Sequence, residues 1–169
     1  LHLPDSLKYE TRIKKRTVYG GGGILPDIFV PIDTSANSQS FRTLLRKGLM
    51  SSYALEFVDD NRSKLEAEHP SEDDFVANYR ISESEINAFK DWAEDKGSEE
   101  DPIQISEEDW AISGDAITLR LKAFIGRNIY KQSTFYRIIG DLNETLSEAL
   151  EILNDGRFER SKLAHKTFK

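Results

Sequence analysis

The chain has 169 residues, 38% of them hydrophobic and 31% charged, with ten glycines, five prolines and no cysteine. That length suits one domain, or one domain with an appendage, and it can bury a sizeable core. The composition excludes a disulfide scaffold, thiolate chemistry and a low-complexity polymer, and no apolar run is long enough to span a membrane. Net charge is −7 and uneven: residues 1–55 carry +4, residues 56–109 carry −14, and residues 110–169 carry +3. The acidic middle would repel phosphate, so nucleic acid is not expected as a partner. Arg12, Lys14, Lys15 and Arg16 read as solvated charges at a hairpin turn.

Residues 1–33 look extended. Leu7 to Thr11 alternates apolar and polar side chains, Thr17-Val18-Tyr19 is β-branched and aromatic, and Ile28-Phe29-Val30 is a short apolar run between Pro26-Asp27 and Pro31. These are three strand candidates, with a tight turn over Ile13 to Arg16 between the first two. The four glycines Gly20 to Gly23 mark a bend, a bulge or a close approach to other backbone.

From Ser35 the apolar period changes to that of a helix. Phe41, Leu44, Leu45, Leu49, Tyr53 and Phe57 share a face, with Gly48 as a weak point, and His69-Pro70-Ser71 ends the segment. Ser82 to Glu85 is a capping box, because the Ser82 hydroxyl can accept a free backbone N–H while Glu85 reaches back; Ile86, Phe89 and Ala93 continue that helix towards Gly97. Ser106 to Asp109 forms a weaker cap before Ile117, Leu121, Phe124 or Ile125, and Ile129. The spacing of Phe135, Ile138, Ile139, Leu142, Leu146, Ala149, Leu150 and Leu153 predicts one last helix with a single apolar stripe, ended by Asp155-Gly156. The basic tail Arg157 to Lys169 is expected to fray.

The fold class is therefore α+β, mainly α: a short N-terminal β segment over residues 1–33, then a bundle of about four helices over 34–169. Three short strands are marginal alone because their edges carry unpaired N–H and C=O groups. Together with the abrupt start at Leu1-His2-Leu3-Pro4, this leads us to expect a piece of a larger sheet. An exposed strand edge could also pair two copies of the chain.

Chemistry is scarce. No Ser-x-x-Lys and no Gly-x-Ser-x-Gly occurs, and His2, His69 and His165 have no partner at metal-ligand spacing, so all three read as exposed. Gly20 to Gly23 is followed by Ile24-Leu25-Pro26 instead of Gly-Lys-Ser/Thr, which removes the phosphate-loop reading. Glu72-Asp73-Asp74 and Glu99-Glu100-Asp101 lack the alternation of a calcium loop, and first-turn acids complementing a helix dipole account for several of them. The triplets at Asn61 and Asn143 fall within predicted helices and are taken as chance matches, while Trp92 and Trp110 read as core. No catalytic residue, metal or cofactor is assigned.

One stretch is more specific. Leu7-Lys8-Tyr9-Glu10-Thr11, followed by Arg16-Thr17-Val18-Tyr19-Gly20-Gly21-Gly22-Gly23-Ile24-Leu25-Pro26-Asp27-Ile28-Phe29-Val30-Pro31, resembles the end of the catalytic core of carboxyl-terminal processing, or tail-specific, serine peptidases. The likeness covers about a fifth of the chain, and Lys15 departs from it, standing where that family usually has Gly before Arg. The resemblance implies a peptidase of the periplasm or cell envelope with a Ser/Lys dyad and a PDZ domain that captures substrate C-termini, all lying upstream of Leu1. It carries Gly20, Gly21, Gly22, Gly23, Pro26 and Asp27 over as a structural turn and leaves this chain without catalytic residues. The rest of such a peptidase and its protein substrates are then the expected partners, with the helical region scaffolding or gating the protease. The rival expectation is a self-standing α+β protein–protein interaction module.

Overall fold

A computed structural model describes residues 4–21, 23, 26, 28–31, 37–98 and 100–160. In chain order the described elements are a 3₁₀ turn Asp5–Leu7, strands β1 Lys8–Glu10 and β2 Thr17–Tyr19, helices α1 Gln39–Arg46, α2 Leu49–Glu68, α3 Glu72–Asn78, α4 Glu83–Asp95, α5 Glu107–Ile129 and α6 Gln132–Ile139, a second 3₁₀ turn Gly140–Leu142, and helices α7 Glu144–Asn154 and α8 Arg157–Arg160. The protein is thus mainly helical with a small antiparallel sheet, as its periodicities predict. Packing divides the chain into two units, residues 33–143 and residues 1–32 with 144–169. The sequence reading drew a single boundary, between residues 33 and 34.

The larger unit holds α1 to α6. Helices form in all four of the predicted helical segments, but the first and the last are divided. Gly48 takes φ +67°, a left-handed conformation that closes α1 and lets α2 start in a new direction. The capping box forms as expected: Ser82 Oγ accepts from Glu85 N at 3.3 Å, and Glu85 Oε2 accepts from Ser82 N at 2.7 Å. Ser106 caps α5 by accepting from Asp109 N at 3.1 Å. The short helix α3 was not anticipated, although Glu72, Asp73 and Asp74 supply its acidic first turn and Ser71 its cap.

Two apolar clusters form the core of this unit. Phe41, Leu44, Met50, Tyr53, Phe89, Ile117 and Leu121 make the first, and Val58, Leu65, Phe75, Tyr79, Ala123, Ile125 and Ile138 the second. Helices α2 and α5 contribute to both and pack along one another, so they join the clusters. Helix α5 also lies against α6, and Gly126 allows the approach: a Cβ there would sit 2.8 Å from the Phe75 ring and 3.0 Å from Thr134 Cγ2.

The smaller unit is built differently. Strands β1 and β2 pair antiparallel, with Lys8 opposite Tyr19, Tyr9 opposite Val18 and Glu10 opposite Thr17. The connecting loop closes when Thr11 N donates to Arg16 O and Arg16 N donates to Thr11 Oγ1, both at 2.9 Å. The third predicted strand does not form: residues 28–31 pair with no strand among the described residues. Pro26 and Pro31 remove the N–H groups that a ladder would use at its two ends.

The single last helix of the sequence reading is also corrected. After Ile139 the chain tightens into the 3₁₀ turn, and Asn143 adopts φ −96°, ψ +90°, which is extended. Helices α6 and α7 therefore belong to different units, and Asn143 stands outside any helix. The predicted stripe is buried only in its first half. Ile138 is 4% exposed, whereas Leu142, Leu146, Leu150 and Leu153 are 44–55% exposed.

Candidate functional site

The residues carried over by resemblance were the glycine turn. Gly20, Gly21, Gly23 and Pro26 are described; Gly22 and Asp27 lie outside the described residues. Gly20 follows β2 directly and donates its N–H to Leu7 O at 2.7 Å, extending the ribbon by one bond. A Cβ on Gly20 would come 2.8 Å from Tyr9 Cε2, so the ring of Tyr9 occupies the space of the missing side chain. Gly21 and Gly23 then take φ +89° and +113°, conformations open to glycine and strained in other residues. Across the hairpin, Lys15 has φ +49° and is the only non-glycine residue with positive φ among those described. A lysine thus holds a backbone conformation that glycine adopts without strain.

His69 corrects the reading of exposed histidines. Its side chain is 14% exposed, and Nδ1 lies 2.7 Å from Asp74 Oδ2. The ring stands edge-on to Phe75 and Tyr79, and the Tyr130 hydroxyl donates to the His69 carbonyl at 2.5 Å. The hydrogen bond between the His69 ring and Asp74, with a second from Asn78, holds the Asp74 carboxyl below its ordinary pKa. The pair ties the end of α2 to the first turn of α3. His2 and His165 lie outside the described residues.

Trp92 and Trp110 both pack, partly buried, on the first apolar cluster. Trp92 Nε1 donates to Glu56 Oε2 at 2.7 Å, and Lys96 sits over its ring. Asp101 pairs with Lys47 at 2.7 Å, which lowers its pKa. Among the described residues the hydroxyl hydrogen bonds run to backbone groups, carboxylates, an arginine or another hydroxyl, including Ser40 to Asp109, Ser51 from Arg127 and Ser82 with Ser84. No three acids or histidines among them gather as a metal site, and no helix is long and apolar enough to cross a membrane.

Each unit carries a concavity among its described residues. In the smaller unit, Ile28 and Val30 face Ala149, Ile152, Leu153 and Phe158 across an apolar groove of about 290 Å³. Along α7 the leucines 146, 150 and 153 are half exposed. In the larger unit a cavity of about 360 Å³ opens between α3, α5 and α6, with Arg80 and Lys122 in its wall. Sequence reasoning singled out neither cation. A lysine one residue after Leu121 gives no sign that the helix turns it inward.

Compared with known proteins, residues 40–131 match a family described as a family of unknown function (DUF8443). The matched span covers α1 to α5 and stops short of the glycine turn on the N-terminal side. No curated protein and no solved structure matches the chain.

Proposed function

The chain belongs to this family of unknown function, and from that premise we propose that it is the non-catalytic C-terminal region of a tail-specific serine endopeptidase of the cell envelope. One observation carries the reading: the sequence motif from Leu7 to Pro31, with left-handed backbone at Lys15, Gly21 and Gly23, the first being where the peptidase family has glycine. A run of that length and order is sequence-specific and not a product of composition.

Two features of the smaller unit support it. Its sheet has only two strands of three residues each, which is below what stands alone in water. Tyr9 and Ile13 on that ribbon are 58% and 73% exposed, surface that the peptidase core would cover. On this reading the helical unit scaffolds the protease, and the half-exposed leucines of α7 offer it a docking surface. The Ser/Lys dyad and the substrate-capturing domain belong to the upstream part.

The native gene product decides between this reading and a self-standing interaction module. An antibody raised against residues 37–98 should detect a protein several hundred residues longer than this chain. Immunoprecipitated, that protein should cleave peptides from their C-terminal side, and an upstream Ser→Ala substitution should abolish the cleavage. A native species of about 19.3 kDa, or turnover by the isolated chain that is lost on replacing one of its own serines, overturns the proposal.

A further inference from the structure

The cavity of the larger unit contains an electrostatic imbalance. Lys122 is 8% exposed, yet its Nζ has one hydrogen-bond partner, the carbonyl oxygen of Val76 at 2.7 Å. An ammonium carries three donors and a full charge, and a single neutral carbonyl balances little of either. Arg80 lines the same wall and donates to the Tyr79 carbonyl at 2.8 Å. Neither cation has a carboxylate within ion-pair distance among the described residues, whereas Arg137 beside them is engaged by Glu72 at 3.3 Å and Asp73 at 2.8 Å. Asp115 lines the cavity without pairing to either cation. Desolvation first, and then the like charge of Arg80, lower the Lys122 pKa, so the two positive groups feel one another.

Val76, Ile81, Leu119 and Ile138 supply the apolar part of the lining, beside the hydroxyl-bearing Thr118. A volume of about 360 Å³ falls at the small end of natural ligand sites. Two cations without a carboxylate partner among the described residues, set beside aliphatic side chains, suit an amphiphilic anion better than a fully hydrated inorganic ion.

We propose that this cavity binds a small aliphatic carboxylate, its oxygens taken by Lys122 and Arg80 and its hydrocarbon body lying against Ile81, Leu119 and Ile138. The Arg80 guanidinium supplies a planar pair of donors suited to a carboxylate, and Lys122 supplies a point charge in a low-dielectric wall. This goes beyond the peptidase reading and does not rest on it.

The test titrates the ¹⁵N-labelled 169-residue chain separately with 4-methylpentanoate, with the neutral 4-methylpentanamide and with inorganic phosphate. Saturable amide shifts confined to residues 76–81, 115–122 and 137–138 are expected with the carboxylate, with at least fivefold weaker binding of the amide and no saturation by phosphate. Arg80→Gln alters an exposed side chain, and Lys122→Met replaces a buried charge with an apolar chain of similar length, a change often neutral or stabilising. Each should weaken carboxylate binding about tenfold, or about 1.4 kcal/mol, with the spectrum elsewhere unchanged. Linear, unsaturable shifts, equal affinity for the amide, saturation by phosphate alone, or undiminished binding by Arg80→Gln would each overturn the assignment.

Discussion

The two units differ in what holds them. Among the described residues, every buried apolar side chain but one lies between residues 38 and 138; the exception is Ile152, at 8% exposure. The larger unit has two clusters joined by two long helices, whereas the smaller has a six-residue ribbon, one groove and ion pairs such as Arg157 with Glu148 at 2.6 Å. Exposed ion pairs contribute little, and a two-stranded ribbon is marginal. The lesson is that regular secondary structure and self-sufficiency are separable here. The first unit can stand on buried apolar area, while the second presents strands and an amphipathic helix with almost nothing to fold around.

That contrast can be broken most directly in the core. Phe89→Ala removes a fully buried ring from the first cluster and should cost about 3–5 kcal/mol. Both tryptophans, Trp92 and Trp110, lie in the larger unit, so urea unfolding followed by their fluorescence reports that unit alone. Ile152→Ala, the corresponding truncation in the smaller unit, should leave the same transition within about 0.5 kcal/mol of the parent. Equal shifts from the two variants would mean that the units share one cooperative core.

The same contrast explains which parts of the fold were legible in the sequence. The caps at Ser82 and Ser106 and the left-handed break at Gly48 are local devices whose geometry follows from the residue itself, and each stands where the sequence puts it. The apolar period over Ile117 and Leu121 was equally readable because those side chains are buried. The period from Phe135 to Leu153 misled, since spacing reports a common face and not a partner. Leu146 and Leu150 keep the stripe while remaining half exposed, and the turn at Gly140 to Asn143 interrupts the helix without a proline. Lys122 was illegible for the opposite reason: its burial depends on where α3 places the Val76 carbonyl, a tertiary fact with no local signal. Of the candidate site, the glycine turn was visible beforehand, and the cationic cavity was not.

Alkaline pH sharpens the comparison next. Burial, reinforced by the charge of Glu85, raises the Tyr79 hydroxyl well above its ordinary pKa. In the unfolded chain that hydroxyl ionises near pH 10. The folded form keeps the proton longer, so this contribution is complete below about pH 10 and is lost as pH rises further. Tyr79→Phe removes it. At neutral pH the variant should be less stable by about 1 kcal/mol, for the hydrogen bond that the Tyr79 hydroxyl donates to Glu85 Oε1 at 3.4 Å. Above pH 10 that gap should narrow and then reverse in the same fluorescence-monitored urea titration. A gap constant from pH 7 to 11 would show that Tyr79 titrates normally in the folded unit.

The smallest effect concerns the ribbon itself. Lys15 holds φ +49° while its N–H donates to Thr11 O at 3.2 Å. A left-handed conformation costs an L-residue about 1–2 kcal/mol; glycine escapes that cost but loses about 0.5–1 kcal/mol more backbone entropy on folding. The difference favours Lys15→Gly by about 0.5–1 kcal/mol, which corresponds to a two- to fivefold slowing of exchange at the amides at the two ends of the ribbon, Thr11 and Gly20. The tryptophan transition of the larger unit should not move. Lys15→Pro makes the converse test, because proline can neither take that φ nor donate that hydrogen bond, and it should speed exchange at both amides. If glycine leaves exchange unchanged or faster, the lysine is not strained there.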